Sequence, residues 1–291
     1  MKRLRFNTKM PELPEVETVR RGLLRYVIGK TIDAVDVFDT RSLKHDSVRA
    51  VKKSLEAKVI SSVERRGKFL WITFRNTDVV LVIHLGMSGQ VLLEKSSVSL
   101  HPHVRVRITL CNYRREILFR DQRLFGGMHL DILEGDVPST LLHIAPDPFD
   151  STYDQRHVVQ ILKGRSAGIK SLMLNQNIVS GVGNIYADEA LWSAKIHYLT
   201  PGNRLSTAKL SELLDAAKAV MNQAIESGGT SFDDLYVNVN GESGWFEVDL
   251  HAYGREDEPC ARCGRLIVRE AWANRSSYRC PRCQPKPRTP R

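Results

Sequence analysis

Cys260, Cys263, Cys280 and Cys283 form one Cys-x2-Cys pair, a gap of sixteen residues and a second Cys-x2-Cys pair. No other feature of this 291-residue chain restricts its local fold so tightly. Four thiolates at this spacing suit a closed tetrahedral Zn2+ site, which leaves no coordination position open for a substrate. One structural zinc ion is expected, replacing a core that so short a segment cannot build. From 255 to 291 the segment carries ten Arg or Lys against four acids, so the metal would stiffen a basic hairpin suited to phosphates. Cys111 stands alone in a strand-like run and reads as a buried, inert thiol.

The charge balance of the whole chain points the same way. Lys and Arg outnumber Asp and Glu by 43 to 33, a net charge of +10 that favours a polyanion such as nucleic acid. The longest apolar run, Val79 to Leu85, is far short of the roughly 18 residues that a spanning helix needs, and His84 breaks it. The basic first residues are followed by no apolar stretch of a secretory signal. The expected setting is cytoplasmic and reducing, with no membrane.

From Thr31 to about Leu133 the sequence reads as short strands, among them Phe69–Phe74, Val79–His84 and Val104–Leu110. The last alternates strictly, as a strand with one buried face does. This is the pattern of a β-sandwich or barrel. Pro138, Pro146 and Pro148 mark a linker. After Asp150 helices take over, clearest from Ser206 to Ser227, where Gly228 and Gly229 stop the run. Between this helix and one starting at Ile169 lies the Gly-rich stretch Val179–Tyr186, whose backbone N–H groups could grip a phosphate.

Near the start, Met10-Pro11-Glu12-Leu13-Pro14-Glu15-Val16-Glu17 admits two readings. Proline and acids ahead of the apolar run Val16, Val19, Leu23, Leu24 are ordinary helix-start signals. Alternatively, with Met10 as initiator and then removed, Pro11 would carry a free secondary amine beside a carboxylate, a nucleophile able to form a Schiff base.

That stretch, together with His84-Leu85-Gly86-Met87-Ser88-Gly89, Gly181-Val182-Gly183-Asn184-Ile185-Tyr186-Ala187-Asp188-Glu189 and Arg275 to Gln284, resembles the formamidopyrimidine-DNA glycosylase family. The match runs from Pro11 to Gln284 in order. The resemblance implies an α+β multidomain fold: an N-terminal β-sandwich domain, then a helical helix-two-turn-helix domain carrying a zinc β-hairpin finger with four cysteine ligands. Its divisions are an extension, 1–10, expected to be absent or removed in active protein; a catalytic sandwich with an N-terminal helix, 11–137; a linker, 138–150; a DNA-binding domain with a lesion-recognition loop, 151–254; the zinc finger, 255–284; and a basic tail, 285–291.

The family implies excision of oxidised purines, 8-oxoguanine and formamidopyrimidines, from double-stranded DNA, then strand cleavage at the abasic site, by a monomer. Its catalytic residues fall on Pro11 as nucleophile, Glu12 as proton shuttle, Lys68 near the lesion and Arg275 on a phosphate. Flipping a base out leaves a hole in the stack, and Met87, Arg123 and Phe125 match the residues that fill it. Gln122 and Leu124 depart from the family's proline and second arginine, which puts the stiffness of that loop in question. His101, Arg165, Lys170 and Asn184 match phosphate contacts, and a helix-cap role for Asn184 is compatible with that.

Within the superfamily the rival is the endonuclease VIII branch, which prefers oxidised pyrimidines. The Pro11-Glu12-Leu13-Pro14 opening and the long stretch Thr230–Gly254 favour the purine branch. A rival of another class is a non-catalytic damage sensor on the same scaffold, which would apply if Pro11 stayed inside a peptide bond.

Overall fold

The computed structural model describes residues 11–228 and 250–288. The expected lesion-recognition loop falls mostly outside them, as do residues 1–10 and the end of the basic tail. The described residues divide into two units, 11–143 with 227–228, and 144–226 with 250–288.

In the first unit, helix α1 (Leu13–Val27) opens with Pro14 in its first turn, and Glu15 Oε2 accepts the Glu12 N–H at 2.9 Å. Val16, Val19, Leu23 and Val27 recur at helical spacing and are all buried. Strands β1 (Ile32–Val37), β6 (Val104–Leu110), β7 (Arg115–Asp121) and β5 (Gly89–Lys95) form one antiparallel sheet in that order. Strands β2 (Ile60–Arg66), β3 (Phe69–Phe74), β4 (Val79–His84), β8 (Gly127–Glu134) and β9 (Val137–Pro138) form the other. The alternation expected at 104–110 holds residue by residue, every second side chain being buried. Val106, Ile108 and Phe119 of one sheet share a core with Leu70, Ile72 and Ile83 of the other, closed by α1 and α2 (Val48–Leu55). Cys111 departs from expectation: it lies just past β6, half-buried, its Sγ 3.8 Å from Asp33 Oδ1. Strand alternation stops at Leu110, so the next residue has no inward face to occupy.

The second unit contains α3 (Gln155–Lys163), α4 (Ile169–Met173), α5 (Asn184–Ser193) and α6 (Thr207–Glu226), followed by the hairpin β10 (Val268–Trp272) and β11 (Arg275–Arg279). Asp154 caps α3 by accepting the Arg156 and His157 N–H groups. The Gly-rich stretch leads into a helix of its own, α5, which starts at Asn184 with Gly183 as its cap. Ile185 to Trp192 are all buried, so α5 shows no polar stripe and no amphipathic period.

Helix α5 is the post on which the rest of this unit hangs. Arg262 donates to the Trp192 and Ser193 carbonyls at 2.6 and 3.1 Å, placing a cation on the negative end of the helix. Glu189, 1% exposed, accepts three successive backbone N–H groups, those of His251, Ala252 and Tyr253, at 2.7–2.9 Å. Burial pushes its carboxyl above the ordinary range while those three bonds pull against it.

Glu189→Gln replaces one carboxylate oxygen with a donor that faces N–H groups. It should cost about 2–3 kcal/mol in denaturant unfolding, and hydrogen exchange at residues 251–253 should quicken first. Unchanged exchange there would show that the three bonds hold nothing.

Candidate active site and nucleic-acid interface

Pro11 and Glu12 precede α1, and Glu12 is the N-cap residue, in extended backbone and 4% exposed. Lys68 sits with Gly67 in the two-residue turn joining β2 to β3, between the paired Arg66 and Phe69. Gly67 takes φ +56° there, the left-handed conformation that this kind of tight hairpin demands. Lys68 is half-buried. The Phe69 ring lies 4.5 Å from that of His84, whose Nδ1 accepts the Gly86 N–H at 3.2 Å. Burial, with the charges of Lys68 and Lys44, pushes His84 down to about 4. His84 is therefore neutral at pH 7, and the Gly86 bond assigns its proton to Nε2.

Arg123 and Phe125 are exposed, the guanidinium 4.7 Å above the ring, and Met87 is half-buried in the β4–β5 turn. One carboxylate fastens the loop that carries the first two. Asp121, fully buried, accepts the Ser88 hydroxyl, the Arg123 N–H at 3.0 Å and the Gly126 N–H at 2.8 Å. The two turns meet backbone to backbone: a Cβ on Gly86 would stand 2.4 Å from Gly126 N, and one on Gly126 2.7 Å from Leu85 O. Leu124 adopts φ +58°. The stiffness questioned at Gln122 and Leu124 is thus supplied by Asp121 and two glycines.

His101 and Arg165 are exposed, His101 Nδ1 accepting the His103 N–H at 3.1 Å. Arg275 is exposed at the head of β11, beside the hairpin turn. Asn184 is the first residue of α5, Gly183 being the cap, and its Nδ2 donates to Ser276 O at 3.0 Å. Lys170 requires a correction. Expected on a phosphate, it is instead 0% exposed, its Nζ 2.6 Å from Asp188 Oδ1, 3.1 Å from Ser277 Oγ and 4.9 Å from the Trp272 ring centre. Asp188 also accepts the Ser277 hydroxyl and the Tyr278 N–H, both at 2.9 Å. A sequence shows the charge of Lys170 but not the carboxylate that draws it inward. In the structure it ties α4 and α5 to the hairpin that bears Arg275.

Glu17, Arg65, Asp121 and Asp188 were not singled out by sequence. Glu17 and Asp188 did carry a signal: each is an acid flanked closely by buried apolar residues, which a solvated acid would not be.

The four cysteine Sγ atoms lie within 4.8 Å of one another, with Cys263 and Cys280 3.4 Å apart. Zinc–sulfur bonds of about 2.3 Å put tetrahedral sulfurs roughly 3.8 Å apart, so the donor set fits the ion in number, softness and spacing. The Trp192 indole N–H and the Cys283 N–H point at sulfurs at 3.4 Å, as thiolates require. These cysteines hold one structural zinc ion.

Metal analysis should find one zinc per chain, and Cys280→Ser should lose both the metal and DNA binding; unchanged metal content would reject the assignment. Gly126→Ala should cost about 1–3 kcal/mol, since only backbone stands in the way of the new methyl. A melting temperature equal to that of the parent would show that the two turns separate freely.

The chain matches three family models in succession: the formamidopyrimidine-DNA glycosylase N-terminal domain at 10–128, the formamidopyrimidine-DNA glycosylase H2TH domain at 144–235, and a zinc finger found in FPG and IleRS at 257–286. It is 49% identical over 288 residues to a formamidopyrimidine-DNA glycosylase of Rhodococcus erythropolis, covering 97% of this chain and 99% of that one. It is 50% identical over 285 residues to one of Mycobacterium avium, covering 96% and 100%. Among solved structures it is similar to MutM in complex with DNA containing carbocyclic 8-oxo-G, with a TM-score of 0.83 and 31% identity over 95% of this chain and 100% of that one. It is equally similar to Lactococcus lactis Fpg bound to DNA containing an abasic site, with a TM-score of 0.83 and 30% identity over 94% and 100%. With three domain models in order and near-half identity along almost its whole length, the chain belongs to the formamidopyrimidine-DNA glycosylase family.

Proposed function

We propose that this DNA glycosylase excises 8-oxoguanine and formamidopyrimidines from duplex DNA and then cleaves the strand at the abasic site, acting as a monomer through the amine of Pro11. The observation that carries the reading is the set of similar structures, which hold DNA with carbocyclic 8-oxo-G, a Fapy-dG or an abasic site.

In this reading the flipped nucleotide presents C1′ to the Pro11 nitrogen. The amine lone pair forms the C1′–N bond as the glycosidic bond breaks, and the base leaves with the bonding electrons and a proton. Glu12 protonates the ring oxygen, the sugar opens, and an iminium remains. The iminium acidifies the 2′-hydrogen. Loss of that proton expels the 3′-phosphate, and a second elimination expels the 5′-phosphate. Water then releases the sugar fragment and regenerates the amine, so one nucleophile serves both activities. Lys68 stands near the lesion and its phosphate, Arg275 grips a phosphate and assists elimination, and Met87, Arg123 and Phe125 occupy the vacated stack. His101, Arg165 and Asn184 hold backbone phosphates. The zinc ion, when bound, supplies rigidity to the hairpin and no chemistry.

The nucleophile must be a free amine, so the active protein begins at Pro11. Borohydride reduction with a duplex containing 8-oxoguanine opposite cytosine should give a covalent adduct, alongside an N-terminal mass starting at Pro11. A Pro11-starting protein that gives no adduct sinks the proposal. A similar Lactococcus lactis structure holds an oxidised pyrimidine, so a duplex with an oxidised pyrimidine is the second arm. Faster excision there would move the substrate class to pyrimidines.

If Lys68, Arg165 and Arg275 each neutralise one phosphate, affinity should fall roughly 40-fold between 50 and 200 mM salt. Lys170→Met should leave that slope unchanged while lowering stability, because it strands the buried Asp188 carboxylate. A shallower slope in Lys170→Met would return Lys170 to the phosphate contacts.

A further inference from the structure

We infer that Glu17 and Arg65 are positioning residues that fix where Lys68 stands relative to Pro11 and Glu12. This rests on the reading of Pro11, Glu12 and Lys68 given above.

Glu17 lies one turn into α1, about 6 Å along the axis from Leu13. Its carboxylate is 7% exposed and accepts four guanidinium N–H bonds. Arg20 supplies two at 2.8 and 3.0 Å, Arg21 one at 2.8 Å, and Arg65, from β2, one at 3.0 Å. Arg65 is also 7% exposed, and its planar head is shared: Nε donates to Glu17 while Nη1 donates to Gly67 O at 3.2 Å. Gly67 is covalently joined to Lys68. The path from the N-terminal segment to the lysine backbone therefore runs through a helical turn, the buried Glu17 side chain, a planar guanidinium and one peptide unit. On the far side of the turn, the Phe69 ring lies against that of His84, tilted by 34°.

Burial alone would raise the Glu17 carboxyl, but the guanidinium bonds and charges of Arg20, Arg65 and Arg21 outweigh it and hold the group down at about 2. The clamp is fully charged above about 4.5 and is lost only as pH falls from there toward 2. Stability alone gives little reason for such a pair, because well-packed apolar residues commonly serve a fold as well or better. What a shared planar fork adds is geometry. Reaction rates are sensitive to geometry, about a hundredfold for a misplacement near 1 Å.

The decisive variant is Arg65→Lys, which keeps the charge beside Glu17 and loses the bond to Gly67. Glu17→Gln is its partner, and Arg41→Lys, on the exposed Asp39 pair, is the control. In single-turnover borohydride trapping on an abasic duplex, Arg65→Lys should react 10- to 100-fold more slowly. Binding to a tetrahydrofuran abasic duplex should stay within twofold, and the melting temperature near that of the parent. Adding Arg65→Lys to Lys68→Met should slow the reaction no further, since the clamp acts through the lysine.

Independently of catalysis, hydrogen exchange at the Gly67 and Lys68 amides should quicken in both clamp variants and not in Arg41→Lys. A parent protein that fails to trap would sink the proposed function, and the exchange measurement would still decide the clamp. Parental trapping and exchange in Arg65→Lys would overturn it. So would an additive loss in the double variant, or a loss of rate matched by equal losses of affinity and melting temperature.

Discussion

A carboxylate taken out of water must be given donors in return, or its burial outweighs anything it contributes. Four of the buried acids that meet this requirement each fix one segment of the chain to another. Glu17 joins α1 to the turn of Lys68. Asp121 closes the loop of Arg123 and Phe125. Asp188 holds the hairpin of Arg275 against α5, and Glu189 holds residues 251–253 on the same helix. In every case at least one donor comes from another part of the chain, so the acid converts local turns into fixed relative positions. Packing alone would tolerate small slides that these bonds do not.

Helix α5 shows how far this can be carried. Its first residue, Asn184, reaches Ser276 O, its middle acids bind the hairpin and the 251–253 segment, and its last carbonyls accept Arg262. Lys170 completes the arrangement by neutralising Asp188 from the α4 side. Zinc and helix act on the same hairpin from different sides: the metal fixes the ends of β10 and β11, and the Asp188 cluster fixes the strand beside Arg275. Losing either should loosen the turn, by different routes.

Much of this was legible in the sequence where the signal is local. Phe69–Phe74, Val79–His84 and Val104–Leu110 became strands at the expected bounds because alternation and turn residues lie within the strands themselves. The zinc ligands were legible because their spacing is the chemistry. Helix α5 was hidden because burial on all sides erases its periodicity. Lys170 was misplaced because its partner is eighteen residues away, and Glu17 passed for a helix-start acid because Arg65 lies forty-eight residues off. Pairings of that range depend on the folded geometry.

The loop of Arg123 and Phe125 shows why such pairings can stand in for sequence rules. Leu124 is held in left-handed backbone, a conformation costing an L-residue of this kind about 1–2 kcal/mol. Strain of that size persists only where the surroundings over-determine the backbone. Asp121 does so here, with bonds on both sides of Leu124, and the contact of Gly86 with Gly126 leaves the loop no room to relax. A proline in this loop would stiffen it by removing backbone freedom; three hydrogen bonds to one buried carboxylate remove the same freedom from outside. The exposed arginine and phenylalanine then start from a fixed base, and less order must be imposed on them when a nucleotide leaves the stack.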